Sequence, residues 1–222
     1  MKKKYTFAVI ATDIIIFTVE NGALKTLLIK MGKKPFLDMW AFPGGLVRSD
    51  ESVLESAKRH LKEKTGIKNV YLEQLYTFGR INRDPFGRVV SVAYMALIPP
   101  KGISVHTTKE YGGIQWFSVK NLPLLAYDHK EMAAYALSRL RAKLEYTNIV
   151  HNLLPKEFTL SELQEIYEII LSQKLDKRNF RKKILSLGLI SKLSKKTAGS
   201  AGRPALLYQF KKKAPAIIDI IS

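Results

Sequence analysis

Short apolar runs of strand character mark the first two thirds of the chain. Residues 6–19 are rich in Ile, Val, Phe and Thr, and residues 24–31 are mostly Leu, Ile and Thr. Glu20, Asn21 and Gly22 stand between these runs as a turn signal, so the pattern predicts two strands joined as a hairpin. Residues 70–78 and 89–98 have the same character and predict two further strands.

A segment of helical periodicity, which begins near residue 50, lies between the second and third predicted strands. We expect a helix that begins near Asp50 or Ser52, either of which suits an N-cap, and ends at Gly66, which suits a left-handed C-cap. The spacing of its apolar positions predicts a buried stripe of Val53, Leu54, Ala57 and Leu61. Residues 130–146 predict a second amphipathic helix that closes this part of the chain.

A different pattern, of helices and tight turns, begins at Asn148. Thr159 and Glu162 have the spacing of a capping box. The helix after them is predicted to bury Leu160, Leu163, Ile166, Tyr167 and Ile170. After a break at residues 172–174, a second helix over residues 175–187 repeats apolar residues at Phe180, Ile184 and Leu187. Two helices joined by so tight a turn indicate a helix-turn-helix.

Two short apolar segments after this helix pair, residues 189–193 and 206–210, predict paired strands. The residues between them, 194–203, are small and basic, which is typical of a wing that follows a phosphate backbone or enters a minor groove. We therefore predict two domains. Residues 1–147 form an α/β (α+β) domain with a mixed sheet between helices, and residues 148–222 form a winged helix-turn-helix domain.

The net charge of the chain indicates the class of partner that it binds. The formal net charge is +18, and residues 174–213 carry 13 Lys or Arg against one acid, Asp176. Such a field recruits polyanions, of which nucleic acid is the first candidate and a membrane surface the second. No segment approaches the roughly 18 apolar residues of a membrane span, so we predict no membrane insertion. The chain has no cysteine, which excludes disulfides and thiolate chemistry and fits a cytoplasmic protein.

Basic side chains on the second helix and in the wing are the predicted contacts to duplex DNA. On the helix, Lys and Arg suit guanine edges and Asn suits adenine. A single module of this kind reads one half-site, so we expect a homodimer on a palindromic operator. The predicted DNA-binding residues are Lys177, Arg178, Asn179, Arg181, Lys182, Lys195, Lys196 and Arg203.

The stretch from Gly45 to Ile67 resembles the Nudix box, the phosphate-and-metal module of the Nudix hydrolases. The positions in register are Gly45, Glu51, Arg59, Leu61, Glu63, Gly66 and Ile67. His60 and Lys64 stand where the family has glutamates. The resemblance implies that the first domain has the Nudix sandwich fold, and the segments WAFPGG before the box and VVSVAYMALI after it agree with that.

The two departures bear on metal binding. Positions 60, 63 and 64 share one face of a helix, where three carboxylates would hold Mg²⁺. This sequence offers an imidazole, one carboxylate and an ammonium, whose charge opposes a cation. We therefore expect no catalytic residues and no required cofactor, with Glu51, Arg59 and Glu63 as vestigial box positions. Mg²⁺ would matter only to residual hydrolysis, through Glu63 and Glu51.

Further residues of the first domain are candidates for binding a small anionic ligand. Glycines allow close backbone approach to phosphate, and Arg suits phosphates or sugar hydroxyls. The predicted effector-binding residues are Gly44, Gly45, Lys64, Arg80, Arg83, Asp84 and Arg88. A solvated turn of the same composition explains residues 80–88 about as well. His129 is predicted to be structural rather than a ligand contact.

Both halves together resemble the Nudix-related transcriptional regulators of the NrtR type, over nearly the whole chain. The segments that carry the resemblance include RDPFGRVVSVAY, LAYDH, LLPKEFTLSELQ, LDKRNFRKKIL and GRPALLYQF. The resemblance implies a repressor whose first domain senses ADP-ribose or a pentose-like sugar and whose second domain binds operator DNA. The alternatives are an active Mg²⁺-dependent ADP-ribose or nucleoside-diphosphate-sugar pyrophosphatase, and an RNA-binding or scaffold protein.

Overall fold

A sheet of seven strands forms the framework of the first part of the chain, within the described residues 7–100, 104–196 and 204–211 of this computed structural model. The strands are β1 (Val9–Glu20), β2 (Ala23–Met31), β3 (Trp40–Ala41), β4 (Gly44–Leu46), β5 (Glu73–Phe78), β6 (Val89–Leu97) and β7 (Tyr111–Ser118). Five follow the order β3-β2-β1-β6-β5, while β4 pairs with β1 and β7 pairs with β2.

Strand β1 explains why the opening run of the sequence is continuously apolar. Ile14, Ile15, Ile16 and Phe17 are each at most 1% exposed, so this central strand is covered on both faces. The predicted hairpin is confirmed, because Asn21 and Gly22 between β1 and β2 have left-handed backbones with φ of 51° and 70°. These are the conformations that two-residue hairpin turns require.

The box helix, α1 (Val53–Thr65), begins and ends where the sequence predicts. Ser52 is the N-cap, with a capping box to Glu55, and Gly66 is a left-handed C-cap with φ of 75°. The predicted buried stripe is confirmed at Ala57 and Leu61 but was wrong at Leu54, which is 39% exposed, and Val53 is only half-buried. The buried positions are Ser56, Ala57, His60, Leu61 and Thr65. The small Ser56 and Ala57 face the interior, and this rotation carries Leu54 outward while it buries His60.

The chain divides into two compact units, and the division falls inside helix α2 (His129–Tyr146), after Leu137. The second unit also includes the short segments 18–24 and 97–101. Its other elements are a 3₁₀ turn (Ile149–Leu153), α3 (Leu160–Leu171), α4 (Lys177–Ser186), β8 (Ile190–Lys196) and β9 (Leu206–Phe210). The five apolar residues predicted to be buried in α3 are buried, and Thr159 and Glu162 form the predicted capping box.

Strands β8 and β9 form the predicted antiparallel wing, with Ile190 opposite Phe210. The wing is also tied to α3, because Phe158 and Tyr208 exchange two backbone hydrogen bonds of 2.9 and 2.7 Å. Phe158 is fully buried and directly precedes Thr159, the N-cap of α3. This bridge places the first turn of α3 beside the base of the wing. No helix of the described residues is both long enough and apolar enough to cross a membrane.

Candidate functional site

A cavity of about 460 Å³ opens in the first unit where β1, β4 and α1 meet the loop before β6. Its lining combines apolar residues of β1 and β2 with charged side chains. Six predicted effector residues line it, namely Gly44, Gly45, Lys64, Arg83, Asp84 and Arg88. The cavity therefore brings together residues that the sequence separates by up to 44 positions.

Lys64 is held at the wall of this cavity by two contacts. Its ammonium donates a hydrogen bond to the carbonyl of Gly44, and it lies 5.1 Å from the centre of the Tyr111 ring. A carbonyl dipole and the face of an aromatic ring both stabilise a cation. The position that holds a glutamate in the Nudix box thus presents a fixed positive charge.

His60, the other departure from the box, is buried beneath the glycine turn. Its Nε2 donates to the Leu46 carbonyl at 3.1 Å, and its Nδ1 accepts from Arg59 at 3.3 Å. Burial lowers the pKa of His60, which favours the neutral ring that these two bonds require. A Cβ on Gly45 would come 2.7 Å from the imidazole, so this glycine makes room for the histidine.

The remaining box carboxylates are committed to one arginine. Arg59 Nε donates to Glu51 at 2.8 Å, and Arg59 NH1 donates to Glu63 at 3.3 Å. Hydrogen bonds from Arg59 hold the pKa of Glu51 well below its usual range, and Glu51 also accepts from the backbone N–H of Arg48. Glu51 and Glu63 are the carboxylates to which the sequence would assign a metal, and both face a guanidinium instead.

The side chains at the box positions do not form a suitable set of ligands for a divalent cation. Mg²⁺ needs several hard oxygen ligands, but the box offers an ammonium, a donor imidazole nitrogen and two arginine-bound carboxylates. Elsewhere in the described residues, no group of three or more His, Asp or Glu is arranged to hold a metal ion.

A buried ionic network that sequence reasoning missed includes two residues of the cavity lining, Asp13 and Arg83. Arg83, with a side chain 3% exposed, donates two hydrogen bonds to Asp128 at 2.9 and 2.8 Å. Its guanidinium also lies 3.6 Å from Asp13, which accepts from Ser91 Oγ at 2.6 Å. The signal available in the sequence was Asp13 itself, a charged residue inside an otherwise apolar central strand.

His129 also belongs to this network, and it lines the cavity. Its Nδ1 accepts from the backbone N–H of Phe42 at 2.9 Å, so Nε2 carries the proton and faces Asp13 at 3.6 Å. Burial lowers the pKa of His129, and the neighbouring carboxylates Asp13 and Asp128 only partly oppose that effect. The ring therefore contributes to the cavity wall as a neutral group whose Nδ1 is hydrogen-bonded.

The loop before β6 supplies two further polar residues and one arginine that points elsewhere. Asp84 accepts from the Phe86 N–H at 2.8 Å through one oxygen, and Arg88 donates to the Arg80 carbonyl at 3.2 Å. Both side chains line the cavity. Arg80 does not, because its exposed side chain pairs with Glu131 at 3.3 Å on the surface. The structure thus separates Arg80 from the other predicted effector residues.

Aromatic residues at the cavity were also missed from the sequence. Tyr111, Tyr127, Phe42 and Phe86 line it, and Phe86 is 74% exposed at the loop tip. Tyr127 has a left-handed backbone with φ of 52°, and burial raises the pKa of its phenol to about 12. These rings give the cavity flat apolar faces next to its cations.

In the second unit, α4 presents a basic outer face. Ile184 is buried and Phe180 is half-buried, whereas Lys177, Arg178, Asn179 and Lys182 are exposed. The turn between α3 and α4 is braced by Glu168, which binds Gln164, Lys174 and the Leu175 N–H. Hydrogen bonds from Lys174 and Leu175 lower the pKa of Glu168 to about 2. The charged outer face of α4 is therefore presented by a turn of defined geometry.

The other predicted DNA-binding residues have different surroundings. Arg181 is half-buried, and its NH2 donates to Ser161 of α3 at 3.4 Å. Lys195 pairs with Glu157 at 3.0 Å, while Lys196 is exposed near the end of β8. Arg203 lies outside the described residues.

This arrangement defines a Nudix-fold protein with altered box chemistry joined to a basic winged helix. The sequence model of the NUDIX domain matches residues 9–138, and that of the NrtR DNA-binding winged helix domain matches residues 150–210. The chain belongs to the Nudix family and, within it, to the transcriptional repressors of the NrtR type.

Similar proteins support this membership over most of the chain. The ADPR responsive transcriptional repressor NtrR of Acinetobacter baylyi is 39% identical, covering 94% of this chain and 84% of that protein. The crystal structure of Shewanella oneidensis NrtR complexed with a 27mer DNA has a TM-score of 0.78 and 31% identity, covering 91% and 93% of the two chains. The NUDIX domain of the same Shewanella protein complexed with ADP ribose has a TM-score of 0.57 and 31% identity, covering 63% and 93%.

Proposed function

We propose that this repressor binds a palindromic operator as a homodimer and that ADP-ribose, bound in the cavity of the Nudix unit, changes its affinity for that operator. The observation that carries the proposal is the ammonium of Lys64, fixed on the Gly44 carbonyl at the wall of the cavity. A cation built into the protein can neutralise a diphosphate without a bound metal ion. The proposal also places the protein in the cytoplasm, because a repressor must reach the genomic DNA.

The lining of the cavity matches the chemistry of ADP-ribose. Lys64 and Arg88 suit the diphosphate, since Arg83 is already paired with Asp128. The second oxygen of Asp84 suits a ribose hydroxyl, and the exposed Phe86 ring suits the face of adenine. A free pentose would use the hydroxyl acceptor but would leave the cations and aromatic faces without partners. The Shewanella NUDIX domain complexed with ADP ribose supports the nucleotide ligand over the sugar.

For DNA binding, the exposed face of α4 supplies the base contacts. Lys177, Arg178, Asn179 and Lys182 lie on that face, which a helix-turn-helix places in the major groove. The wing cations supply phosphate contacts, which position the protein without reading sequence. Because one winged helix reads a single half-site, two copies related by two-fold symmetry are required for a palindrome.

One experiment separates a ligand sensor from an enzyme. ADP-ribose is titrated into the full-length protein by calorimetry in EDTA and then in Mg²⁺, and the mixture is analysed for AMP. We expect binding of similar affinity in both buffers and recovery of intact ADP-ribose. A ligand at 100 times its Kd should also raise the free energy of unfolding by about 2.7 kcal/mol. Binding that requires Mg²⁺ and rapid release of AMP would instead support the pyrophosphatase, whose turnover Glu63→Gln should abolish.

A second experiment tests whether ADP-ribose binding and operator binding are thermodynamically coupled. If ADP-ribose changes the operator affinity by some factor, then operator DNA must change the ADP-ribose affinity by the same factor. Both factors can be measured with a duplex that the protein itself selects from a randomised pool. Equal and non-unit factors support a ligand-responsive repressor, whereas factors of one on both sides would contradict ligand control.

A further inference from the structure

A basic groove in the winged-helix unit is distinct from the outer face of α4. It has a volume of about 550 Å³ and lies between the first turn of α3, the side of α4 and the base of the wing. Its described lining includes three cations, Arg181, Lys192 and Lys196, and no carboxylate. Glu162, the nearest acid in sequence, does not line the groove, and its carboxylate accepts hydrogen bonds from the backbone N–H and hydroxyl of Thr159.

The groove is bounded by one backbone bridge and one side-chain contact. The hydrogen-bonded bridge between Phe158 and Tyr208 fixes the wing to the residue before the α3 N-cap. From the opposite side, Arg181 spans from α4 to Ser161 of α3. The groove therefore has a defined width between α3, α4 and the base of the wing.

Arg181 has unused hydrogen-bonding capacity at this position. A guanidinium has five N–H donors, and the hydrogen bond of Arg181 to Ser161 is long at 3.4 Å. Its Nε has no hydrogen-bond partner among the described residues. Lys192 and Lys196 are exposed on the adjacent strand, whereas Lys195 is paired with Glu157. Three cations thus face one groove whose described lining contains no carboxylate.

We infer that this groove is a clamp for the phosphodiester backbone of duplex DNA and that Arg181 acts there rather than as a reader of bases. The inference rests on the proposed DNA-binding function and divides its residues into two roles. The outer face of α4, represented by Arg178, reads sequence. The second role is to bind a backbone phosphate at the groove and so to fix the position of α4. The residues in this role are Arg181, Lys192 and Lys196.

The test compares Arg181→Gln and Lys192→Gln with Arg178→Gln in the full-length protein. Each variant binds two duplexes of equal length, one selected by the wild-type protein from a randomised pool and one with that sequence scrambled. The affinities are measured over a series of salt concentrations. If the wild type enriches no sequence from the pool, the proposed function fails before the clamp is tested.

For each clamp variant, we expect the DNA affinity to fall by the same factor on the selected duplex as on the scrambled duplex. The slope of log Kd against log salt concentration should fall by about 1 for each lost phosphate contact. Arg178→Gln should lose affinity mainly on the selected duplex. The clamp assignment is overturned if Arg181→Gln weakens only the selected duplex, or if neither clamp variant changes affinity or slope. Lys192 is an exposed side chain, so its variant keeps the test valid if Arg181→Gln fails to fold.

Two further arms identify the anion. Neutral methylphosphonate linkages, placed one at a time in the selected duplex, should reveal a position that weakens wild-type binding but not that of Arg181→Gln. ADP-ribose affinity should be unchanged in all clamp variants. A loss of ADP-ribose affinity in Lys192→Gln would show that the groove binds the nucleotide instead, and would contradict the clamp.

Discussion

The ammonium of Lys64 donates its hydrogen bond to the carbonyl of Gly44, at the turn where the Nudix box begins. The helix α1 and the glycine turn are therefore joined by a cation at the box position where the resemblance implies a glutamate. His60 fills the neighbouring position under Gly45 and is bound to the Leu46 carbonyl. Together these two residues place an ammonium and an imidazole at the two box positions where the resemblance implies carboxylates.

Replacing Lys64 tests whether that charge binds the effector. Lys64→Met should weaken ADP-ribose binding about tenfold or more, because a hydrogen bond to a charged group contributes about 1.5–3 kcal/mol. Lys62→Met is the matched control, since Lys62 is exposed on the same helix and does not line the cavity. Calorimetry in EDTA measures both.

Lys64→Glu asks the converse question about hydrolysis. We expect no Mg²⁺-dependent AMP release from this variant, because His60 remains and Arg59 still holds Glu51 and Glu63. We also expect weaker ADP-ribose binding. If Lys64→Glu neither restores hydrolysis nor changes ADP-ribose affinity, the role given to Lys64 is wrong.

The buried pair of Arg83 and Asp128 should matter for stability. Arg83→Met leaves Asp128 and Asp13 as buried carboxylates without their cation, which should lower the free energy of unfolding by about 3–5 kcal/mol. Arg80→Met removes an exposed ion pair with Glu131 and should cost at most about 1 kcal/mol. Urea denaturation of both variants gives the comparison, and equal losses would contradict the buried network.

Buried histidine predicts how stability depends on pH. The pKa of His129 is lowered by burial, so below about pH 6.5 the unfolded chain binds a proton that the folded protein does not. Its contribution is therefore complete above that pH and is lost as the pH falls, at up to about 1.4 kcal/mol per pH unit.

His129→Asn isolates this contribution. The asparagine oxygen can accept from the Phe42 N–H, as Nδ1 does, but it does not titrate. The variant should show a shallower fall in urea-unfolding free energy between pH 7 and pH 5. A residual slope is expected from His60, whose pKa is also lowered by burial. An unchanged slope in the variant would mean that folding does not lower the pKa of His129, which would contradict the neutral buried ring.

Gly45 and His60 should be coupled sterically. A Cβ at position 45 would lie 2.7 Å from the imidazole, so Gly45→Ala should cost about 1–3 kcal/mol through overpacking. The double variant Gly45→Ala with His60→Ala should be less destabilised than the sum of the single variants, because the methyl group then has space. Strict additivity in urea denaturation would show that the two positions do not compete for the same volume.

Much of the local structure could be predicted because its causes lie within a few residues. The capping boxes at Ser52 and Thr159, the left-handed Gly66 and the turn at Asn21 and Gly22 each depend on neighbours along the chain. The same holds for the altered box, since spacings of three and four residues on a helix place side chains on one face.

Sequence alone could not separate Arg80 from Arg83. Both stand in one arginine-rich loop, yet Arg80 pairs with Glu131 on the surface and Arg83 is buried on Asp128. The difference depends on how the start of α2 packs against the loop. Arg83 and Asp128 are 45 residues apart in sequence. Likewise, Arg181 shares a helix face with its basic neighbours by spacing, but its contact with Ser161 comes from the packing of α3 on α4.

The sequence by itself determined the main helices and the longer strands other than β7, the winged helix and the change of charge in the Nudix box, because periodicity, capping and residue chemistry act locally. It did not predict β3, β4 or β7. Only the tertiary structure decided which charges face the cavity. Asp13, Ser91, Asp128 and His129 meet because sheet pairing and helix packing bring distant strands and loops together. Long-range contacts of that kind depend on the whole fold, and no short stretch of sequence contains them.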